Sequence, residues 1–220
     1  MSKQIAIDGP AGAGKSTIAK KVAATLGFIY VDTGAMYRAM ALYMIKEGIN
    51  PGETNKIVDK CKSADITIKH ENGEQVVYLN GENVNGLIRT EEVGNMASSV
   101  SVIGFVRQKL VELQQKLANE TDVVMDGRDI GTVVLPNADL KIYLTASSKV
   151  RAERRYKELT EKGVSCNIDD IERDIVERDY RDMHREISPL KQAEDAVLID
   201  SSNYTIEEVA KKIIDCYSKV

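Results

Sequence analysis

No tryptophan and only two phenylalanines occur among the 220 residues, so a core has to be built mainly from aliphatic side chains. Cysteine is scarce too. Cys61, Cys166 and Cys216 are odd in number and widely spaced, with no C-x-x-C pair. They offer neither a disulfide framework nor zinc-ligand spacing, and they suit a reducing compartment. The two histidines, His70 and His184, stand in no Ser-His-Asp or Cys-His arrangement, which excludes the usual activated nucleophiles. No apolar run reaches membrane length, and polar Lys3 and Gln4 lead directly into the first apolar segment without a cleavable signal. A cytoplasmic protein, with no membrane partner, is the expectation. The net charge of −4 argues against a general nucleic-acid binder, whose contacts with a phosphate backbone need a basic surface. Internal repeats and low-complexity tracts are also missing. One large domain, or one with a sizeable insertion, fits the length.

What is present begins with Gly9, Pro10, Ala11, Gly12, Ala13, Gly14, Lys15, Ser16 and Thr17, which fit the pattern G-x-x-x-x-G-K-[ST]. An apolar run of strand length, residues 4 to 8, precedes them. Ile18, Val22, Ala23 and Leu26 follow at helical spacing. A strand, a Gly-rich turn and a helix together aim backbone N–H groups and the positive helix end at one point, where polyphosphate binds. Lys15 is expected to reach the β- and γ-phosphates of ATP, and Ser16 to offer its hydroxyl to Mg²⁺. A plain tight turn explains glycines but not the Lys-Ser pair.

Further along, Phe28 to Val31 reads as a strand ending at Asp32, and a helical pattern runs from about Ala35 to Lys46. The texture changes between Ala64 and Asn85. Two strand-like runs there, Ile66–Ile68 and Val76–Leu79, are punctuated by Asn72-Gly73 and Asn80-Gly81, strong hairpin signals. They predict a small antiparallel insertion. Residues 91–119 read as two helices broken around Ser101–Gly104, and strands are expected at 123–125, 140–144 and 196–199. Lys149 to Glu186 is a charged helical region interrupted near Gly163–Asn167, and Ile206–Tyr217 closes the chain as an amphipathic helix. Alternating strands and helices predict an α/β fold, a parallel sheet covered on both faces. Ligands of such sheets bind beyond the carboxyl ends of the strands. Asp8-Gly9, Asp32-Thr33, Asp126-Gly127 and Thr145-Ala146 lie there.

Arginine is distributed unevenly. Residues 151 to 185 hold seven of the eleven arginines but two of the nineteen lysines. Arg offers a fixed fork that matches phosphate oxygens bidentately, which gives a reason for preferring it to Lys. Arg178, Asp182 and Arg185 share one helical face, as do Arg151, Arg154 and Arg155. Surface ion pairing with the equally dense Glu and Asp is the plain alternative for any one of them. Taken together they predict a cationic lid over transferring phosphates. Asp126, after an apolar strand, is the candidate carboxylate for Mg²⁺, held through water, with a turn or N-cap role as its alternative. A kinase acting on an alcohol needs a base for the hydroxyl proton. One acting on a phosphate monoester does not, because that group is already largely dianionic.

The loop G-P-A-G-A-G-K-S-T, D-T-G-A-M-Y-R at 32–38, D-G-R-D-I-G-T at 126–132 and E-R-D-Y-R-D-M-H-R at 177–185 together resemble bacterial cytidylate kinases. The hairpin insertion with I-R-T at 88–90 is similar to the piece that marks the bacterial type, and the resemblance covers essentially the whole chain. It implies a P-loop kinase fold and transfer of the γ-phosphoryl group of ATP to CMP or dCMP. It divides the chain into a core (1–35, 120–147, 190–220), an acceptor part with the insertion (36–100) and a lid (about 149–168). It assigns Tyr37, Arg38 and Arg128 to the CMP phosphate region, with Thr33 where the family often has Ser. Ser98, Arg107 and Asp129 would read the base. Arg178, Asp182 and Arg185 would contact the acceptor's sugar and phosphates, and Arg154 and Arg155 would belong to the ATP-side lid. The catalytic charge would come from Lys15, Arg128, Arg154, Arg155, Arg178 and Arg185. Carboxylate and guanidinium suit the N4 amino group and the N3 and O2 acceptors of cytosine, whereas uracil leaves the carboxylate facing a carbonyl. Gly48, Gly52 and the Gly163 region are candidate hinges for closure. Nothing demands more than a monomer. An adenylate, uridylate or shikimate kinase is the nearest rival reading, separated by the insertion and D-G-R-D. A nucleotide-dependent switch module is the rival of a different class, disfavoured by the Arg-rich lid and the lack of an N-K-x-D motif.

Overall fold

A computed structural model describes residues 2–71 and 73–220. The chain opens with β1 (Gln4–Asp8), the loop, and α1 (Lys15–Leu26). Next come β2 (Ile29–Asp32), α2 (Thr33–Lys46) and α3 (Thr54–Ser63). The insertion holds β3 (Ile66–Glu71), β4 (Glu74–Leu79) and the two-residue β5 (Glu82–Asn83). Then follow α4 (Glu91–Val100), α5 (Gly104–Glu120) and β6 (Val123–Gly127). A single π-helical turn, Ile130–Val134, leads to β7 (Leu140–Thr145). The chain closes with α6 (Ser148–Glu161), α7 (Ile168–His184), β8 (Val197–Asp200) and α8 (Ile206–Tyr217).

The expected parallel sheet has five strands in the order β2-β6-β1-β7-β8. Its centre is dry: Ile5, Ala6 and Ile7 of β1 are fully buried, as a strand covered on both faces must be. The period-two alternation sorts them. Ile5 and Ile7 pack with Ile18 and Val22 of α1 and with Val209 and Ile213 of α8. Ala6 faces the other way, into a layer with Val31, Met125, Ala118 and Val134. A third cluster, built around Met36, Met40, Met44, Ile57, Val77, Met96 and Leu110, joins α2 to α5 with the antiparallel sheet. Methionine thus fills much of this cluster.

The structure differs from the sequence reading in three places. Helix α3 was not expected, because only Ile57 and Cys61 of its ten residues are buried, too few to show a period. The insertion carries a third strand. Asn80 and Gly81, at φ 49° and 82°, make the tight turn between β4 and β5 that their sequence predicts. Asn72, of the other turn signal, lies outside the described residues. The turn at 130–134 was also not anticipated.

The insertion also closes an edge. Strand β2 pairs with β6 on one side only, and the side chains of β3 and β4 satisfy its outward backbone groups. Gln75 Oε1 accepts from the Asp32 N–H at 2.8 Å, while Gln75 Nε2 donates to the Asp32 carbonyl at 3.3 Å. His70 Nε2 donates to the Tyr30 carbonyl at 2.9 Å. An otherwise open edge is thereby protected from stray pairing.

Candidate active site

The loop between β1 and α1 is shaped by glycine where nothing else fits. A Cβ on Gly9 would fall 1.9 Å from the Leu144 carbonyl oxygen. Gly14, at φ 87°, is the left-handed residue from which α1 starts. Lys15 is buried and donates from Nζ to the Pro10 carbonyl at 2.7 Å. Burial, and next the charge of Arg128, holds its pKa far below the ordinary lysine range. Two further carbonyls of the loop are tied from outside, Ala11 by Arg151 Nη1 at 3.0 Å and Ala13 by Ser201 Oγ at 3.2 Å. Thr17 lines a groove of about 600 Å³ beside the loop with Ser16, Lys20, Lys21, Ile206 and Glu207.

Strand ends deliver the carboxylates. Asp126, at the end of β6, accepts from Ser16 Oγ and from the Tyr30 hydroxyl, each at 2.9 Å. Burial first, and the nearby Asp32 second, raise its pKa. Asp8, at the end of β1, is 5% exposed and accepts from the backbone N–H groups of Ile130 at 2.8 Å and Gly131 at 2.7 Å. Burial pushes it up to about 6 against those two bonds. Asp8 therefore anchors the π-helical turn that carries Arg128 and Asp129 on its leading side.

A cationic cluster faces the loop. Arg38 on α2, Arg128 after β6 and Arg178 on α7 stand close enough for their charges to oppose one another. Half-buried Arg38 and Arg178, whose side chain keeps contact with solvent on α7, are both held below the usual guanidinium range, by partial desolvation first and by arginine neighbours next. Two carboxylates moderate them: Asp182 Oδ2 accepts from Arg128 Nε at 2.9 Å, and the charge of Asp32 acts on Arg38. Arg38 Nη1 donates to the Ile88 carbonyl at 3.3 Å, and Gly94 of α4 leaves room for its guanidinium, 3.5 Å from where a Cβ would stand.

Behind the cluster lies a buried pair. Arg107 of α5 and Asp129 are bridged through Arg107 Nη2 and Asp129 Oδ2, with side chains 5% and 7% exposed. Arg185 Nη2 stands 3.9 Å from the other oxygen of Asp129. Arg107 Nε and Arg185 Nη2 are buried donors with no hydrogen-bond partner among the described residues. Tyr37 lies with its ring 5.7 Å from the Arg107 guanidinium, and burial pushes its hydroxyl up to about 12. Ser98, half-buried on α4, uses its carbonyl to receive the Ser101 hydroxyl at 2.8 Å.

The family model described as cytidylate kinase matches residues 5–219. The chain belongs to the cytidylate kinase family. Among curated relatives, the cytidylate kinase of Caldicellulosiruptor bescii is 53% identical over 216 residues, covering 98% of this chain and 96% of that protein. That of Lactobacillus gasseri is 51% identical, with 98% and 94% covered. A solved gluconokinase from Sinorhizobium meliloti is similar in fold, with a TM-score of 0.51 at 12% identity over 99% of this chain and 92% of that one.

For a cytidylate kinase family member, several side chains sit where the sequence does not place them. The Thr33 hydroxyl is buried and donates to the Asp126 carbonyl at 2.8 Å, bracing β6 rather than facing the cleft. Arg154 is engaged with Ser201, donating to its carbonyl at 2.8 Å and its hydroxyl at 3.3 Å. Arg155 pairs with Glu158 at 3.0 Å on the surface of α6. Arg151 leaves the group entirely: it is buried against the loop and reaches Asp179 of α7. Asp8, Tyr30, Gln75 and Asp179 are the structural additions to the site, and Arg151, expected in the lid group, takes a different place. Of the additions only Asp8 carried a signal, its place at a strand end.

No helix among the described residues is long and apolar enough to cross a membrane.

Proposed function

We infer that the protein transfers the γ-phosphoryl group of ATP to CMP or dCMP, giving ADP and CDP or dCDP. The carrying observation is the gathering of Arg38, Arg128 and Arg178 near Lys15 of the phosphate loop, where Arg128 bonds Asp182 of α7 at 2.9 Å and its charge helps lower the pKa of Lys15, Arg38 and Arg178. Such a cluster is short of anions, and two polyanionic substrates meeting end to end supply them.

In this reading the loop from Gly9 to Thr17 cradles the donor phosphates with its N–H groups, and the groove beside Thr17 has room for the donor's nucleoside. Lys15 exchanges its bond to Pro10 for phosphate oxygens. Ser16 and Asp126 fit Mg²⁺: a hydroxyl and a buried carboxylate converge 2.9 Å apart beside the phosphate loop. They would hold the ion through water. Bound Mg²⁺ supplies charge neutralisation across the β- and γ-phosphates.

On the acceptor side, Arg38, Arg128 and Arg178 hold the monophosphate dianion. It needs no base to attack. Arg107, Asp129 and Ser98 read cytosine, Asp182 and Arg185 flank the sugar, and Tyr37 supports Arg107. Catalysis rests on alignment and on charge placed where the phosphoryl group moves. Arg154 and Arg155 reach the transferring group on closure of the segment at about 149–168 over the core (1–35, 120–147, 190–220) and the acceptor part (36–100). A cytoplasmic monomer working in pyrimidine nucleotide metabolism completes the reading.

The test is a coupled ADP-release assay with Mg-ATP, offering CMP, dCMP, UMP, AMP and GMP separately, plus a control without acceptor. Turnover confined to CMP and dCMP is expected. Preference for another monophosphate would overturn the roles of Asp129 and Arg107, and turnover without acceptor would favour a switch or ATPase.

A further inference from the structure

Arg151 is the most deeply buried arginine of the 151–185 group, its side chain 5% exposed against 8% for Arg185. Its three donor groups go to three different segments. Nε donates to the Ala146 carbonyl after β7 at 2.9 Å, Nη1 to the Ala11 carbonyl of the phosphate loop at 3.0 Å, and Nη2 to Asp179 Oδ2 on α7 at 2.5 Å. The stem of Arg151 also packs on the loop, 3.4 Å from where a Cβ on Gly12 would be. Asp179 sits between Arg178 and Asp182, the groups α7 offers to the acceptor.

We propose that the Arg151–Asp179 pair is a positioning link that sets the register of the acceptor-binding helix against the donor loop. Stability alone does not explain it. A buried ion pair is a weak stabiliser because desolvation offsets attraction, and Asp179 Oδ1 is buried with no hydrogen-bond partner among the described residues. Geometry does explain it. In-line transfer depends on the relative placement of two phosphates, and a displacement of about 1 Å costs on the order of 10²-fold in rate. Only a rigid fork can brace a loop carbonyl, a strand end and a helix carboxylate together. The link touches neither substrate, so it acts on alignment and leaves each binding site whole.

This inference rests on the kinase reading above, and the experiment separates the two. Wild type, Asp179→Asn, Arg151→Lys and the double variant are compared in kcat for CMP phosphorylation. Calorimetry gives the affinity of each for CMP alone and for a non-hydrolysable ATP analogue alone, and thermal melting reports folding. The expected result is a fall in kcat of about 10²-fold with each separate affinity within about three-fold, and a double variant no worse than the poorer single one. The near-isosteric Asp179→Asn keeps the test valid if Arg151→Lys melts early. A kcat within about three-fold of wild type, or a loss of affinity for one ligand as large as the loss in kcat, overturns the link. Failure of wild type itself to phosphorylate CMP would instead overturn the kinase reading.

Discussion

Arg107 and Asp129 satisfy each other in the interior, across 22 residues of sequence, and still leave Arg107 Nε with no hydrogen-bond partner among the described residues. A guanidinium with a spare buried donor beside a carboxylate is poised to receive a ring that presents acceptors next to an amino group. Cytosine does so and uracil does not. Asp129→Ala or Arg107→Ala is therefore expected to reduce the CMP-over-UMP ratio of kcat/KM by about ten- to one-hundred-fold, since a hydrogen bond to a charged group contributes about 1.5–3 kcal/mol. Full retention of the preference in either variant would falsify the assignment.

Gln75 and Asp32 give the insertion a second prediction. Asp32 caps α2 by accepting from the Ala35 N–H at 3.0 Å and pairs with Arg89 at 2.8 Å. Its backbone is gripped by Gln75 on both its N–H and its carbonyl. The entry of α2, which carries Tyr37 and Arg38, is thus set by a side chain of the inserted sheet. Gln75→Ala is expected to raise KM for CMP about five-fold, the equivalent of one net hydrogen bond at about 1 kcal/mol. KM for ATP should stay within about two-fold. Equal changes in both constants would show a general loosening instead.

Asp8 yields a pH dependence. Its folded pKa, about 6, lies above its unfolded value of 3.8, so the native state holds more protons than the unfolded chain between those values. Stability contributed by the protonated form is present at acid pH and is lost as pH rises through 6. The stability difference between wild type and Asp8→Asn should fall by about 2 kcal/mol from pH 4.5 to 7.5, the integral of that two-unit shift over the window. Urea unfolding at both pH values measures it. A difference that is constant or grows with pH would place the carboxylate in a more polar setting than its burial indicates.

The parallel sheet was legible because each core strand is an apolar run followed by a turn residue with a chemical use, as at Asp8-Gly9 and Asp126-Gly127. The helix break at Ser101–Gly104 was legible for a similar local reason. What stayed hidden depends on partners distant in sequence. Arg151 and Arg155 are four residues apart on one helical stripe, yet the first is buried and the second open to water. That outcome is set by Asp179 and Ala11, 28 and 140 residues from Arg151, and spacing along one helix carries no information about either. Thr33 is a comparable case. The sequence shows a hydroxyl beside a strand end, but only the packing of β2 on β6 turns it toward the Asp126 carbonyl. The role of the insertion was hidden because amide and imidazole side chains that cap another strand's edge follow no periodic pattern.

Arg155 is where the two readings of the arginine-rich segment part. Its ion pair with Glu158 spans one helical turn, with side chains 51% and 47% exposed, and such pairs add about 0–1 kcal/mol to stability. Removing it should therefore leave the melting temperature almost unchanged. Its charge nevertheless acts on Arg38, one of the residues proposed to hold the acceptor phosphate. Arg155→Ala is expected to cut kcat by about 10²-fold, the cost of losing one donor aimed at developing charge, while CMP affinity measured without ATP stays put. Arg155→Lys should recover only part of that rate, because a single ammonium cannot reproduce the fork. An alanine variant with wild-type kcat would leave Arg155 as a surface partner of Glu158 and confine the lid's chemistry to Arg154.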